Sequence, residues 1–334
     1  MRKTIILMLG LIALGTGSCR KDKEQFDGPS LRDLFSEFTL LEPFRANRDS
    51  VNFTNGQSLT FSARFNKVVQ WNIRIRGLAS GAEKLITGQS TAIDAVNGLW
   101  NGSTTSFPVF GAENCLATLR IDGVNDSFEL PIRVSAPKKN NGLLIADFEN
   151  GINSQWNRFV QSGAAMDFNV KNDALAPQGS RYLQMAGTVN WDWLIGLIDF
   201  PASAYGSGKT FALSTNPDGV YFNCMIYGVP GTNPSLVLFQ LKEDENSDGN
   251  TNAANEDQYD LEVRVNWTGW KLVSVRYSDL PSLVNGQPAT PKGNARHNPD
   301  KLGKISMLHL ADPSAGFASS KIDYLIFTDR PLEP

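Results

Sequence analysis

The stretch Ser58-Leu59-Thr60-Phe61-Ser62-Ala63-Arg64-Phe65-Asn66-Lys67-Val68-Val69-Gln70-Trp71-Asn72-Ile73-Arg74-Ile75-Arg76 decides the fold class. Leu59, Phe61, Ala63 and Phe65 alternate with Ser58, Thr60, Ser62 and Arg64. Val69, Trp71, Ile73 and Ile75 then alternate with Gln70, Asn72, Arg74 and Arg76. Side chains along a strand point to opposite faces in turn, so strict alternation predicts strands with one buried face. Phe128, Leu130, Ile132 and Val134 close the series with the same period.

Five or more such segments, separated by Gly and Asn turns, predict an immunoglobulin-like β-sandwich over residues 37–136. Trp71 falls on the inner face and reads as its core packing residue. The run Ala136-Pro137-Lys138-Lys139-Asn140-Asn141-Gly142 has no apolar residue after Ala136, so residues 137–142 read as a linker. A second β domain is expected over 143–334. Its strands are predicted at Leu143–Phe148, Thr210–Leu213, Val220–Tyr227, Leu236–Leu241, Leu261–Trp267, Lys271–Tyr277, Ile305–Leu310 and Ile322–Phe327. No segment has a helical period, and this strand count suits a jelly-roll sandwich. The chain is therefore predicted to be all-β.

Upstream, Met1-Arg2-Lys3 precedes an apolar run of about ten residues, Ile5–Leu14, and the small residues Gly15-Thr16-Gly17-Ser18 lead to Cys19. A spanning helix needs roughly 20 apolar residues. A charged start, a short apolar stretch and small residues before the cut form a secretory signal. A Cys at the cut is the pattern of a bacterial lipoprotein, with residues 1–18 removed and Cys19 acylated; Thr16 stands where such signals usually carry Leu. An ordinary signal peptide cut elsewhere is the rival reading. Residues 19–36 then read as a tether.

Removing Arg2 and Lys3 from 31 basic residues leaves 29 against 34 acidic, a net of −5, with no basic stripe, which argues against a nucleic-acid partner. Cys115 and Cys224 each alternate with apolar neighbours and read as free buried thiols. With two histidines and no H-E-x-x-H, G-x-S-x-G or C-x-x-C, no catalytic residue is assigned. Asp147 and Glu149 are two apart on one expected strand and would point the same way. Asp244-Glu245-Asn246-Ser247-Asp248-Gly249 matches the first half of a calcium loop, D-x-N-x-D-G, with Asp244, Asn246 and Asp248 as candidate ligands. The twelfth position is Asn255 and not Glu, and a solvated hairpin tip is the alternative. Trp191-Asp192-Trp193 places two indoles on one side of an extended segment. Tyr221 and Asn223 alternate with the apolar face of their strand. Ring plus amide suits a sugar: a pyranose face stacks on the ring and its hydroxyls bond to the amide or carboxylate. The candidate carbohydrate-binding residues are Trp191, Asp192, Trp193, Tyr221, Asn223 and Gln240.

Three passages carry a resemblance: Ile145-Ala146-Asp147-Phe148-Glu149; Trp267-Thr268-Gly269-Trp270-Lys271 through Tyr277-Ser278-Asp279-Leu280; and Ile322-Asp323-Tyr324-Leu325-Ile326-Phe327. Together they resemble a galactose-binding-like jelly roll of the carbohydrate-binding-module kind, with Leu280 where Phe is usual. The layout of lipidated Cys, immunoglobulin-like domain and jelly roll is similar to the surface glycan-binding lipoproteins of Bacteroidota. That resemblance implies a non-catalytic protein on the outer membrane, facing the cell exterior. It implies polysaccharide or oligosaccharide as ligand, and an outer-membrane glycan importer of a polysaccharide-utilisation system as partner. It implies no required cofactor, but a possible structural Ca2+ near the first and last strands, at positions matching Asp147, Glu149 and Asp323. The mixed charges of Arg20–Lys23 leave inward and outward orientations of the anchor both open. A lipid-anchored glycoside hydrolase or lyase and an adhesion protein that binds protein partners are the alternative functions.

Overall fold

The structure is a computed structural model that describes residues 37–189, 194–206, 208–232, 235–284, 286–311 and 316–332. It is all-β, and among the described residues helix is confined to short 3-10 turns such as Phe53–Asn55 and Pro217–Gly219. Among the described residues no helix is long and apolar enough to cross a membrane.

The first unit holds β1 (Leu40–Ala46), β2 (Ser50–Asn52), β3 (Leu59–Gly77), β4 (Glu83–Ile93), β5 (Leu99–Trp100), β6 (Glu113–Ile121) and β7 (Ser127–Ala136). The quoted stretch is the single 19-residue strand β3. It changes partners along its length: β1 and β5 pair with its first part, β6 with its second, and the register against β4 shifts between Arg64 and Val69. Its inward residues Leu59, Phe61, Ala63, Phe65, Val69, Trp71, Ile73 and Ile75 are all buried in one core. Trp71 donates its indole N–H to Ser90 Oγ at 2.9 Å. It lies opposite Gly88, where a Cβ would collide with the ring.

The second unit is a two-sheet sandwich. Its strands are β8 (Leu143–Ala146), β9 (Asn157–Val160), β10 (Ala165–Asn172), β11 (Arg181–Val189), β12 (Leu194–Pro201), β13 (Tyr221–Gly228), β14 (Ser235–Glu243), β15 (Gln258–Val265) and β16 (Gly269–Arg276). The small hairpin β17 (Leu283–Val284) and β18 (Gln287–Pro288) follows, then β19 (Leu302–Ala311) and β20 (Gly316–Thr328). One sheet runs β10-β11-β20-β13-β16, with β8 beside β20; the other runs β15-β14-β19-β12-β9. Their inner faces meet in a core that includes Phe200, Phe222, Phe239, Met307 and Phe327. Phe222 spans the layers, its ring centroid 5.0 Å from Phe239 and 5.3 Å from Phe327. Each such buried ring contributes on the order of 1.5–3 kcal/mol of transfer energy.

Two expectations need correction here. Thr210–Leu213 is not a strand; Phe211 anchors the segment by its buried ring and by a backbone bond to Leu302 O at 2.8 Å. The strand from Leu143 stops at Ala146, and Phe148 takes φ 55, so Asp147 and Glu149 lie on a turn and not on one strand face. Strands β9, β10, β11 and β12 have no counterpart among those expected from the sequence. Cys115 and Cys224 are free and buried.

Candidate functional site

The outer face of the six-stranded sheet is largely used by the protein itself. Tyr227 and Trp270 face each other across β13 and β16, with ring centroids 5.3 Å apart, and Trp270 packs edge-on to Tyr182 at 5.8 Å. Lys321 Nζ sits about midway, 5.1 Å from the Tyr182 ring and 5.0 Å from the Tyr227 ring. The Trp270 indole N–H is bound by Leu175 O at 2.7 Å. Further along, a cavity of about 800 Å³ separates this face from the first unit and touches Met225, Tyr324 and Ile326.

The outer face of the five-stranded sheet is different. Register places Asp260, Gln240, Ser306, Asp199 and Asn157 side by side in one row across β15, β14, β19, β12 and β9. The adjacent row is Glu262, Leu238, Leu308, Leu197 and Phe159. A third row, on the other flank, brings Gln258, Lys242, Lys304 and Pro201 together. An apolar strip thus lies against a strip of amide, hydroxyl and carboxylate, bordered by two lysines. Phe159 is 47% exposed at the edge of the strip.

The polar row is not internally satisfied. Ser306 Oγ and Asp199 Oδ1 are buried and have no hydrogen-bond partner. Asp199 meets Lys304 Nζ through its other oxygen, at 3.6 Å. At the far end Asp260 is held: Oδ1 accepts from Gln258 Nε2 at 3.0 Å, and Oδ2 from the Leu283 N–H at 2.9 Å. Burial pushes its carboxyl up to about 6, against the lowering effect of those bonds. Burial and the neighbouring Lys304 lower the Lys242 ammonium. Buried polar atoms in native proteins almost always have partners. Two orphans in one row beside an apolar strip leave hydrogen-bonding capacity that the fold itself does not use.

The candidate sugar contacts do not form one group. Gln240 lies at the centre of this row. Tyr221 lies in the opposite sheet, where its hydroxyl accepts from Arg276 Nε at 3.1 Å. Asn223 is wholly buried, and its amide is spent on the chain: Nδ2 donates to Ile326 O and Thr328 Oγ1, and Oδ1 accepts from the Leu332 N–H. It ties β13 to β20 and the C-terminal segment, so it has no free group for a sugar. Trp191, Asp192 and Trp193 lie outside the described residues, as does Cys19; in sequence Trp193 immediately precedes Leu194, where β12 begins. Asp199 and Ser306 were missed because neither stands out in its own segment.

The candidate metal ligands are also placed. Glu149 accepts the N–H groups of Ser180 and Arg181, each at 2.8 Å, and the Ser180 hydroxyl. Asp147 Oδ1 accepts from the Glu149 N–H at 3.2 Å. Asp323 is fully buried, and burial, with Glu149 and Asp147 adding, pushes its carboxyl up to about 9. In the D-x-N-x-D-G loop, Asp244 accepts the N–H groups of Asp248 and Gly249, Asn246 accepts that of Asp248, and Asp248 accepts that of Asn250. Among the described residues, the acidic side chains that bring three oxygens within 4.8 Å of one another are Glu243, Glu245 and Asp257, a different set.

No protein-family model and no curated protein matches the chain. Solved structures do. The chain is similar to the family 11 carbohydrate-binding module of the cellulosomal cellulase Lic26A-Cel5E of Clostridium thermocellum: 12% identity, 58% of this chain and 97% of that one, TM-score 0.38. It is similar to the CBM22-1 xylan-binding domain from Paenibacillus barcinonensis Xyn10C, with 16% identity, 59% and 99% coverage and a TM-score of 0.33. It is also similar to the surface glycan-binding protein PbSGBP-B from Prevotella bryantii, with 12% identity, 82% of this chain and 73% of that one, and a TM-score of 0.40.

Proposed function

We propose that this protein is a non-catalytic glycan-binding lipoprotein that captures polysaccharide on the outer face of its five-stranded sheet. The observation that carries the reading is the paired rows: Leu238, Leu308, Leu197 and Phe159 against Gln240, Ser306 and Asp199, with two polar atoms left unpartnered. A sugar ring offers an apolar face and a rim of hydroxyls, which fits such a strip. A shallow face of this kind buries little area, and each hydroxyl pays desolvation, so single-site affinity is weak. Many copies anchored to one membrane compensate through avidity. The proposal includes acylation at Cys19, outward display from the outer membrane beside a glycan importer, and a structural calcium on Asp147, Glu149 and Asp323.

The spacing of the polar row's two carboxylates supports the non-catalytic reading. These are Asp260 and Asp199, but β14 and β19 lie between their strands, so their backbones are about 14 Å apart at ~4.8 Å per strand. Glycosidase carboxyls work at roughly 5–9.5 Å. Asp260 is also held back toward Leu283.

The test is affinity electrophoresis and calorimetry with the purified protein on a polysaccharide panel, with product release assayed alongside. We expect binding without release of sugar. We expect Gln240→Ala and Asp199→Ala to weaken binding roughly 5- to 30-fold, at ~1–2 kcal/mol per lost hydrogen bond. Absence of binding to every glycan, or release of new reducing ends, would refute the reading.

A further inference from the structure

The last residue of β14, Glu243, stands beside Asp257, which directly precedes β15; the Glu243 N–H donates to Asp257 O at 3.0 Å. Glu245 turns back toward them, and its Oε2 accepts the Asp257 N–H at 3.2 Å. The segment 293–298 closes over the three from the other side. Gly293 N–H donates to Asp257 Oδ1 at 2.6 Å, Asn294 N–H to Glu245 Oε1 at 3.1 Å, and Asn298 N–H to Glu243 Oε1 at 2.7 Å. The Tyr277 hydroxyl adds a fourth donor, to Glu243 Oε1 at 3.0 Å. Gly293 permits this closure, because a Cβ there would collide with Glu245 Oε2.

We infer that Glu243, Glu245 and Asp257 form a calcium-binding site that ties the β14–β15 loop to segment 293–298. One carboxylate oxygen from each lies within 4.8 Å of the others, which is the span of two opposite calcium–oxygen bonds of about 2.4 Å. The independent mark of a missing ligand is Glu243. It is fully buried, its Oε1 takes two donors, and its Oε2 is buried with no partner at all. No ion pair to any of the three is found among the described residues. Gathering three acidic groups at a buried position without a cation is costly, and the N–H and hydroxyl donors orient the carboxylates without neutralising them. An all-carboxylate set selects a hard cation and not zinc or copper, which favour nitrogen or sulfur. Magnesium demands near-ideal octahedral geometry, whereas calcium accepts the irregular arrangement that these fixed donors impose.

The site is separate from the D-x-N-x-D-G loop, although the two interleave in sequence. Both Asp244 carboxylate oxygens are engaged within that loop, by the Asp248 and Gly249 N–H groups. The inference does not depend on the glycan reading.

The test uses the whole protein, freed of metal with a chelator and dialysed. Calcium chloride and magnesium chloride are titrated separately by calorimetry, and melting is followed with and without each ion. Glu245→Gln is the main variant, because Glu245 is only half-buried and its amide keeps the side chain's shape. Asp257→Asn is the second variant, and Asp248→Asn reports on the neighbouring loop. We expect at least a tenfold loss of calcium affinity at one site, and loss of most of that site's calcium-dependent rise in melting temperature, in Glu245→Gln. Asp248→Asn should keep both. No calcium uptake by the wild type, tighter binding of magnesium than of calcium, or unchanged calcium binding in Glu245→Gln would each overturn the assignment.

Discussion

His309 shows how far one residue's role departs from its residue type. It sits on the inner side of β19, wholly buried, with Nε2 3.2 Å from Ala318 O and Nδ1 without a partner. A carbonyl neighbour requires the proton on Nε2, so the ring donates there in its neutral form, with the Nδ1 lone pair buried. Burial lowers its pKa to about 4. The sign follows from the unfolded value near 6.5: the unfolded chain takes the proton first, so stability is complete above that pH and is lost as pH falls toward 4. The loss reaches ~3 kcal/mol for a shift of this size. Asp260, raised to about 6 by burial, works in the opposite direction over part of the range. The measurement is therefore the difference between wild type and His309→Gln in urea unfolding at pH 7.5 and pH 4.5. The wild type should lose ~2–3 kcal/mol more than the variant between these conditions; equal losses would contradict this account. Asn223 makes a similar point. Its place beside aromatic neighbours suggested a sugar contact, yet a bulge between Asn223 and Met225 leaves the amide buried against β20.

At the scale of elements, the alternation from Leu59 to Ile75 was fully legible, because a strand with one wet face writes its burial directly into the sequence. β9 to β12 were not legible, for different reasons. β9 is a four-residue edge strand with no buried position. β12 breaks its pattern at Gly196, where a Cβ would meet Phe159 O and Met166. Missing β12 and β9 removed two of the five strands that build the site. Even with every strand known, the row Asp260–Gln240–Ser306–Asp199 depends on the pairing register of four strands, of which only β14 and β15 are consecutive, and register is a tertiary property. Only Gln240 could be found from its own strand's period. The row also predicts an unusual mutant. Ser306 Oγ is buried and unpartnered, so Ser306→Ala removes a polar group that the fold does not satisfy. Stability should stay level or rise by up to ~1 kcal/mol, while glycan affinity falls severalfold. Thermal melts and calorimetry on the same sample separate the two effects, and a destabilised Ser306→Ala with unchanged glycan affinity would remove the row from the site.

At the scale of the molecule, the buried residues divide into a core drawn from 44–134 and others drawn from 145–327, with no shared member. The connection passes through residues 137–142; the Thr54 hydroxyl donates to Pro137 O within it, and the Val109 N–H donates to Pro177 O of the second unit, both at 2.8 Å. A cleft of about 800 Å³ opens between the units, so part of their facing surface makes no contact. The two units should therefore unfold separately. Calorimetry of the whole protein is expected to show two transitions. Trp71→Ala, which opens a cavity worth ~3–5 kcal/mol in the first core, should lower one of them by more than ~10 °C and leave the other in place. A bound glycan should raise only the second unit's transition, because a ligand stabilises the unit that holds it. Glycan affinity at a temperature where both units are folded should be the same in Trp71→Ala and wild type. A single transition would refute separate unfolding, and a glycan shift carried by the first unit would place binding at the junction and not on the outer face of the five-stranded sheet. Two transitions with the predicted shifts would give the first unit a purely positional role, holding a binding face at a distance from the residue 19 end of the chain.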